Sequence, residues 1–307
     1  MKKEFLKKTI IKKGSCLTPR QKEEGYKMDF ILTDDGVLTI SGNSHLCPIP
    51  APDAIPYFDD DPAGPPSYWS KYVSQFKDMD FHTVIIEDGV TVLSEHCFKD
   101  CKALKKIILP EHVPTIRYTF AEGSSLEYTV KDNLKFLGPP SNPLFYLRGA
   151  TDDYNEDRLI IPEGTVRIAD EAFKNKKFIK EIVVPESLEF LGWYTFEGTS
   201  IKELFLPEGK LAYDETLIAF EQRISTMEGK DSKSLETISL PYSMYKTYKE
   251  GLDPEMVEAW NTTRKIIFRN PDDSIAEVLE PQPLENYSHT EETKISTIET
   301  NSDELPF

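Results

Sequence analysis

The sequence predicts an α/β repeat protein, a solenoid of short stacked strands with a parallel sheet along its concave face. Three observations predict it. One stretch recurs along the chain, each copy sets apolar residues either side of a single outward position, and most copies break at a proline.

The clearest copies are CFKDCKALKKIILPEHV (Cys97–Val113), AFKNKKFIKEIVVPESL (Ala172–Leu188) and TFEGTSIKELFLPEGK (Thr195–Lys210). They share a small residue followed by Phe, an apolar residue five or six places on, two more around an outward one, and then Pro. Weaker copies are HTVIIEDGVTVL (His82–Leu93), with Glu87 in the Pro place, TFAEGSSLEYTVKDNLKFL (Thr119–Leu137), with Lys131 there, DRLIIPEGTVRIADEAF (Asp157–Phe173) and LETISLPYS (Leu235–Ser243). The residues before the Pro position are 86, 109, 130, 161, 184, 206 and 240, so the spacing is 22–23 with two insertions. One insertion is the Pro-rich Gly138–Asp157; the other lies between Phe220 and Leu235, where EGKDSKS has the composition of a solvent loop. Such a unit makes one strand and turns at a Pro that has no N–H to give a sheet. It returns through a second apolar pair, Leu188 and Leu191, and a turn carrying Phe98, Phe173 or Phe196. It cannot bury its own apolar face, so units must stack into a parallel sheet over a shared core.

That period lies in the leucine-rich-repeat range. AFKNKKFIKEIVVPESLEFLG (Ala172–Gly192) resembles the repeat of BspA-like leucine-rich-repeat proteins of bacteria and some protists, and Cys101 stands at that family's Cys place. DFILTDDGVLTISG (Asp29–Gly42), followed by Trp69, is similar to the family's entry segment. LETISLPYSMYKTYKEG with Trp260 and KIIF (Lys265–Phe268) is similar to its exit. The resemblance covers about residues 29–269. Independently of it, Asp35–Gly36 between two apolar runs signals a hairpin, which would cap the first repeat. Met244–Lys249 and Pro254–Trp260 read as short helices that would cap the last. The expected organisation is a basic leader (1–28), an N-terminal cap (29–80), repeats with about seven strands (81–241), a C-terminal cap (242–270) and an acidic disordered tail (271–307).

A net charge of −17 argues against general affinity for nucleic acid or anionic lipid, which need clustered Lys and Arg. Charge is also uneven. Residues 1–22 carry eight Lys/Arg against Glu4, and residues 271–307 carry ten Asp/Glu against Lys294. No run of apolar residues is long enough to span a membrane. In MKKEFLKKTIIKKGS, Lys7 and Lys8 break the apolar stretch a signal peptide needs. A cytoplasmic location is therefore favoured over a secreted or cell-surface one. The basic start reads as a solvated leader or cap extension, in preference to an amphipathic helix with Phe5, Leu6 and Ile10 on one side.

Chemistry has few candidates. His96, Cys97, Cys101 and His112 have zinc-like spacing, but the repeat already explains both cysteines as buried small residues. Cys16 and Cys47 complete a set of four cysteines, too few for a disulfide framework. His45, His82, His96, His112 and His289 occupy unrelated positions, and neither a nucleophile elbow nor a phosphate loop occurs. FDDDP (Phe58–Pro62) lacks the alternating ligands of a calcium loop. No catalytic residue, cofactor or metal is expected, and the chain reads as a non-enzyme.

The remaining signal is surface. Side chains alternate along a strand, so Ile85, Ile108, Thr129, Ile160, Val183, Phe205 and Ser239 should face outward as a ribbon across the sheet. Lys105, Lys106, Lys180 and Lys202, with Glu181 and Glu203, flank it. The expected function is a protein–protein interaction scaffold that binds a partner on this concave ribbon, with a surface adhesin or host-binding protein as the alternative. An enzyme or metal protein is a more distant third.

Overall fold

The structure is a computed structural model that describes residues 8–50, 72–117, 119–207, 235–245 and 265–281. Strand β1 (Ile10–Ser15) leads through a short helix α1 (Pro19–Glu23) to β2 (Met28–Thr33) and β3 (Val37–Gly42), and β1, β2 and β3 pair as an antiparallel meander. Helix α1 starts in a reciprocal cap. The Gln21 backbone N–H donates to the Thr18 hydroxyl at 3.3 Å, and the Thr18 N–H donates to the Gln21 side chain at 2.9 Å. The expected hairpin turn lies between β2 and β3, where Gly36 takes the left-handed φ of 71°.

Strands β4 (His45–Leu46), β5 (Ile49–Pro50) and β6 (Tyr72–Val73) follow, β6 pairing with β5. From here the chain alternates between two ladders. β7 (Thr83–Ile86) lies parallel to β3, and β8 (Val92–Leu93) parallel to β4. β9 (Lys106–Ile108) then joins β7, and β10 (Thr115–Ile116) joins β8. The next passage breaks the pattern. β11 (Thr129–Lys131), β12 (Leu134–Leu137) and β13 (Tyr146–Ala150) form an antiparallel meander. Its first turn holds Asp132 and Asn133 at φ of 51° and 58°, the double positive φ of a tight hairpin. Alternation then resumes through β14 (Arg158–Ile160), β15 (Arg167–Ile168), β16 (Glu181–Val183), β17 (Phe190–Leu191) and β18 (Glu203–Phe205). β14, β16 and β18 are parallel in one sheet; β13, β15 and β17 are parallel in the other. β19 (Thr237–Pro241) and β20 (Lys265–Arg269) extend the first sheet, and β21 (Ile275–Leu279) closes it antiparallel.

The prolines end strands for a visible reason. The backbone N–H groups of Ile161, Val184 and Leu206 make the last cross-repeat bonds, at 3.0, 3.0 and 2.9 Å, and the next residue in each case is Pro. The core is built across repeats. Leu159, Ile182, Leu204, Ile238 and Ile266 stand in one register, each 0% exposed. The Phe turns stack as well: Phe173 and Phe196 rings lie 5.6 Å apart and nearly parallel, Phe76 and Phe98 5.7 Å apart. Backbone bonds tie the same turns together, Phe98 N–H to Phe120 O at 2.7 Å and Phe173 N–H to Thr195 O at 2.9 Å.

Several expectations change. Residues 10–15 are the edge strand β1 and not part of a solvated leader or an amphipathic helix, and Ile10 lies in that strand. Both faces of β1 are open to solvent, so its lysines carry no period that marks a strand. Thr129 leaves the strand row, because β11 pairs with β12 and with neither β9 nor β14. Of the expected C-terminal helices Met244–Lys249 and Pro254–Trp260, only Met244 and Tyr245 are among the described residues, at the end of a 3-10 turn, Tyr242–Met244; residues 246–264 lie outside the described set. The boundary at 271 falls inside the β20–β21 hairpin, so the acidic segment begins as sheet. Phe58–Pro62 and His289 lie outside the described residues.

Two predictions follow from the packing. Ile182→Ala should cost about 2–5 kcal/mol, as buried large-to-small changes do. Val183→Ala, half-buried on the opposite face of β16, should cost far less, and equal losses of Tm would mean the register is wrong. The second concerns His96, a buried turn residue at φ 62° whose Nδ1 lies 3.5 Å from Glu122. Burial, then Lys99, hold its pKa below the usual histidine value against Glu122 and Glu95. The unfolded chain therefore binds that proton first, so stability should fall as pH drops below about 6.5. Asn tolerates a positive φ, so His96→Asn keeps the turn. Subtracting the melting curves of His96→Asn from wild type between neutral and mildly acid pH should expose this loss, and a flat difference would refute it.

Candidate functional site

The outward faces of β14, β16, β18, β19 and β20 form the most elaborated surface of the described residues. Backbone register sets Ile160, Val183, Phe205, Ser239 and Ile267 side by side, with Arg158, Glu181, Glu203, Thr237 and Lys265 in the row two residues before. In the first half of the chain Ile85 and Ile108 are likewise adjacent and half-buried. Ile160 is 58% exposed; Val183 and Phe205 are half-buried.

Phe205 is the centre of a polar lattice. The Arg158 guanidinium lies 4.6 Å from its ring centroid and the Arg269 guanidinium 4.9 Å, reaching in from strands two away on either side. Asp273, in the β20–β21 turn, links them: its carboxylate is 3.3 Å from Arg158 and its backbone carbonyl accepts from Arg269 at 3.0 Å. Arg269 also pairs with Glu203 at 2.8 Å and donates to the Ser239 hydroxyl at 3.1 Å, while that hydroxyl donates to Glu203. Arg158 lies 3.6 Å from Glu181. The lattice covers Ser239, which is only 2% exposed instead of facing solvent as the alternation implied. A small side chain between two long ones is roofed over by them.

Beside Phe205 a cleft of about 720 Å3 opens between the Pro turns and the C-terminal hairpin. Val184, Leu206, Pro207, Leu240, Pro241 and Tyr242 supply its apolar walls, and Arg158, Glu186, Arg269 and Asp273 its polar ones. That size and mixture suit a peptide side chain or a small apolar group. The Ser239 hydroxyl meets a carboxylate already held by Arg269, and no histidine lines the cleft. The flanking lysines behave unequally. Lys180 is 3.5 Å from Asp157 and Lys202 2.9 Å from Glu236, whereas Lys105 and Lys106 are exposed without an ion pair among the described residues.

The zinc-like quartet is not assembled. Cys97 and Cys101 are buried, the latter's Sγ 3.5 Å from the Ser74 hydroxyl, while the His112 side chain is 93% exposed beside Asp88. Burial pushes the Cys97 thiol well above its usual pKa, Cys101 up to about 11 and Cys16 up to about 12, so none is a thiolate near neutral pH. Among the described residues no group of His, Cys, Asp and Glu is placed to hold a metal ion, and no helix is long and apolar enough to cross a membrane. The arginine lattice was beyond sequence reasoning: Arg158 and Asp273 are far apart in the chain, with no local motif joining them.

Several solved structures are similar to part of this chain. A leucine-rich-repeat protein of Eubacterium ventriosum is 17% identical, covering 70% of each chain at a TM-score of 0.26. A leucine-rich cell surface protein of Faecalibacterium prausnitzii is 16% identical over 70% of this chain and 87% of its own, at a TM-score of 0.27. The pneumococcal vaccine antigen PcpA is 11% identical over 70% and 80%, at 0.25. A search of curated protein sequences returned no match. The BspA type leucine rich repeat region matches in six copies at residues 71–140 and 153–243, more than half of the chain. The chain belongs to the BspA-type leucine-rich-repeat family, whose members are typically non-enzymatic binding or surface proteins.

Proposed function

We propose that this protein is a non-enzymatic interaction scaffold, a solenoid that takes a protein partner along the concave row of outward strand residues. One observation carries the reading: Ile85 with Ile108, and Ile160 with Val183 and Phe205, are large apolar side chains held outward in register, the second set beside a 720 Å3 cleft. β-Branched residues favour strands wherever they occur. A phenylalanine gripped between two guanidinium groups is a rigid platform with its orientation already set, which lowers the ordering cost of binding. Lys105 and Lys106 would add a basic flank for an acidic rim on the partner. The cytoplasm, or a surface role such as BspA-type proteins often serve, would use the same face.

The test is partner capture from the protein's native source, compared across variants. Ile108→Glu and Val183→Glu place an unpaired charge in the contact, which is costly to desolvate. A carboxylate at position 205 would instead pair with the two arginines, so Phe205→Ala is the informative change there. It should weaken capture by about thirtyfold, the effect of losing an aromatic anchor worth about 2 kcal/mol. Lys102→Glu and Lys177→Glu, exposed and away from the row, should leave capture unchanged. The reading fails if those controls abolish capture while the row variants retain it.

A further inference from the structure

Two sheets carry the outward rows, β1-β2-β3-β7-β9 and β14-β16-β18-β19-β20-β21, and each ends in an antiparallel strand whose outer edge is open among the described residues. β1 lies outside β2 in one, and β21 lies outside β20 in the other. An open edge presents a row of unpaired N–H and C=O groups, ready to template another strand. The two edges differ in charge. β1 carries Lys12 and Lys13, exposed and without an ion pair among the described residues, and follows Lys8, which pairs with Asp35. β21 carries Glu277, also without an ion pair among the described residues, and is followed by Glu280, which pairs with Lys265. The edges also hold unusual apolar exposure. Ile10 and Ile11 are 53% and 59% exposed, and Ile275 is 56% exposed.

We infer that the two edges are complementary, and that a second copy of this chain adds its β21 to β1, head to tail. Strand sense supports the geometry. β1 runs with β3, β7 and β9, whereas β21 runs against β20 and the strands parallel to it. Each edge strand is antiparallel to its own neighbour, and an antiparallel meeting of the two edges is the better-bonded arrangement. A register with Lys12 opposite Glu277 makes one charge pair and brings the bulged Ile10–Ile11 step of β1 towards Val278 and Leu279. Two copies of β1 would instead oppose lysine with lysine, and two copies of β21 glutamate with glutamate. The contact uses different patches on the two copies, so it does not close and chains grow. A pairing of five or six residues is small, hence weak. It involves neither Phe205 nor its cleft and is independent of the partner-binding reading.

Sedimentation of the full chain from micromolar to near-millimolar concentration tests this. The average mass should climb past the dimer with concentration and fall back in high salt, which screens the exposed pair. Lys12→Glu alone and Glu277→Lys alone should each weaken association about tenfold, since each sets like charges opposite one another. An equimolar mixture of the two variants should recover it, because every contact in the mixed chain again joins opposite charges. Unchanged melting curves for both variants show that the fold is intact. A monomer at every concentration would overturn the inference and make the edge lysines guards against pairing. A closed dimer, single variants that associate like wild type, or a mixture that stays as weak as its components would equally overturn it.

Discussion

Everything in this molecule depends on the inability of one repeat to bury its own apolar face. A three-residue strand such as Glu181–Val183 offers a single inward side chain, Ile182, which one coil alone cannot cover. Cover comes from Leu159 on one side and Leu204 on the other, and the same holds for Phe173 against Phe196. Each fully buried residue of this size contributes about 1.5–3 kcal/mol relative to exposure, but only while its neighbours stand in register. Backbone bonds between successive turns and between successive strands enforce that register, so packing and hydrogen bonding repeat with one period.

A repeat array leaves its first and last faces uncovered, and this chain answers the two ends in the same way. Antiparallel strands fold back at both, β2 with β1 before the first repeat and β21 after the last. The interior irregularity is handled likewise. Where the third copy carries extra residues, the chain turns through β11, β12 and β13, and β13 starts a new parallel ladder with β15 and β17. The insertion is thus absorbed as added sheet, and the inward column of the new ladder is Leu147, Ile168 and Leu191.

The outward face shows what the array is free to vary. Inward positions accept only apolar residues of the right volume, but the outward row is constrained by nothing except its neighbours across the sheet. In the C-terminal half those neighbours are Arg158, Glu181, Glu203, Ser239 and Arg269, and the hairpin turn adds Asp273 from above. The charges neutralise one another while the guanidinium planes hold Phe205. An aromatic surface is thereby kept at the rim of a cleft without being left loose in solvent.

The period, the Pro that follows the last ladder donor at Ile161, Val184 and Leu206, the inward column around Ile182 and the Asp35–Gly36 hairpin were all determined by the sequence alone. Each is local, with a spacing that follows from strand alternation and from the missing N–H of proline. Tertiary structure alone decided which strand pairs with which. β11 has the composition of a row strand, yet the turn at Asp132–Asn133 sends it to β12 and takes Thr129 out of the row. β1 and β21 lie in segments whose charge resembles solvated chain, and become sheet because β2 and β20 present edges to them. Ser239 is buried by Arg269 from the next strand and by Glu203 from the one before, neighbours separated from it by long stretches of sequence. Alternation sets the face on which a side chain stands; what covers it there depends on strands that only the folded chain brings alongside.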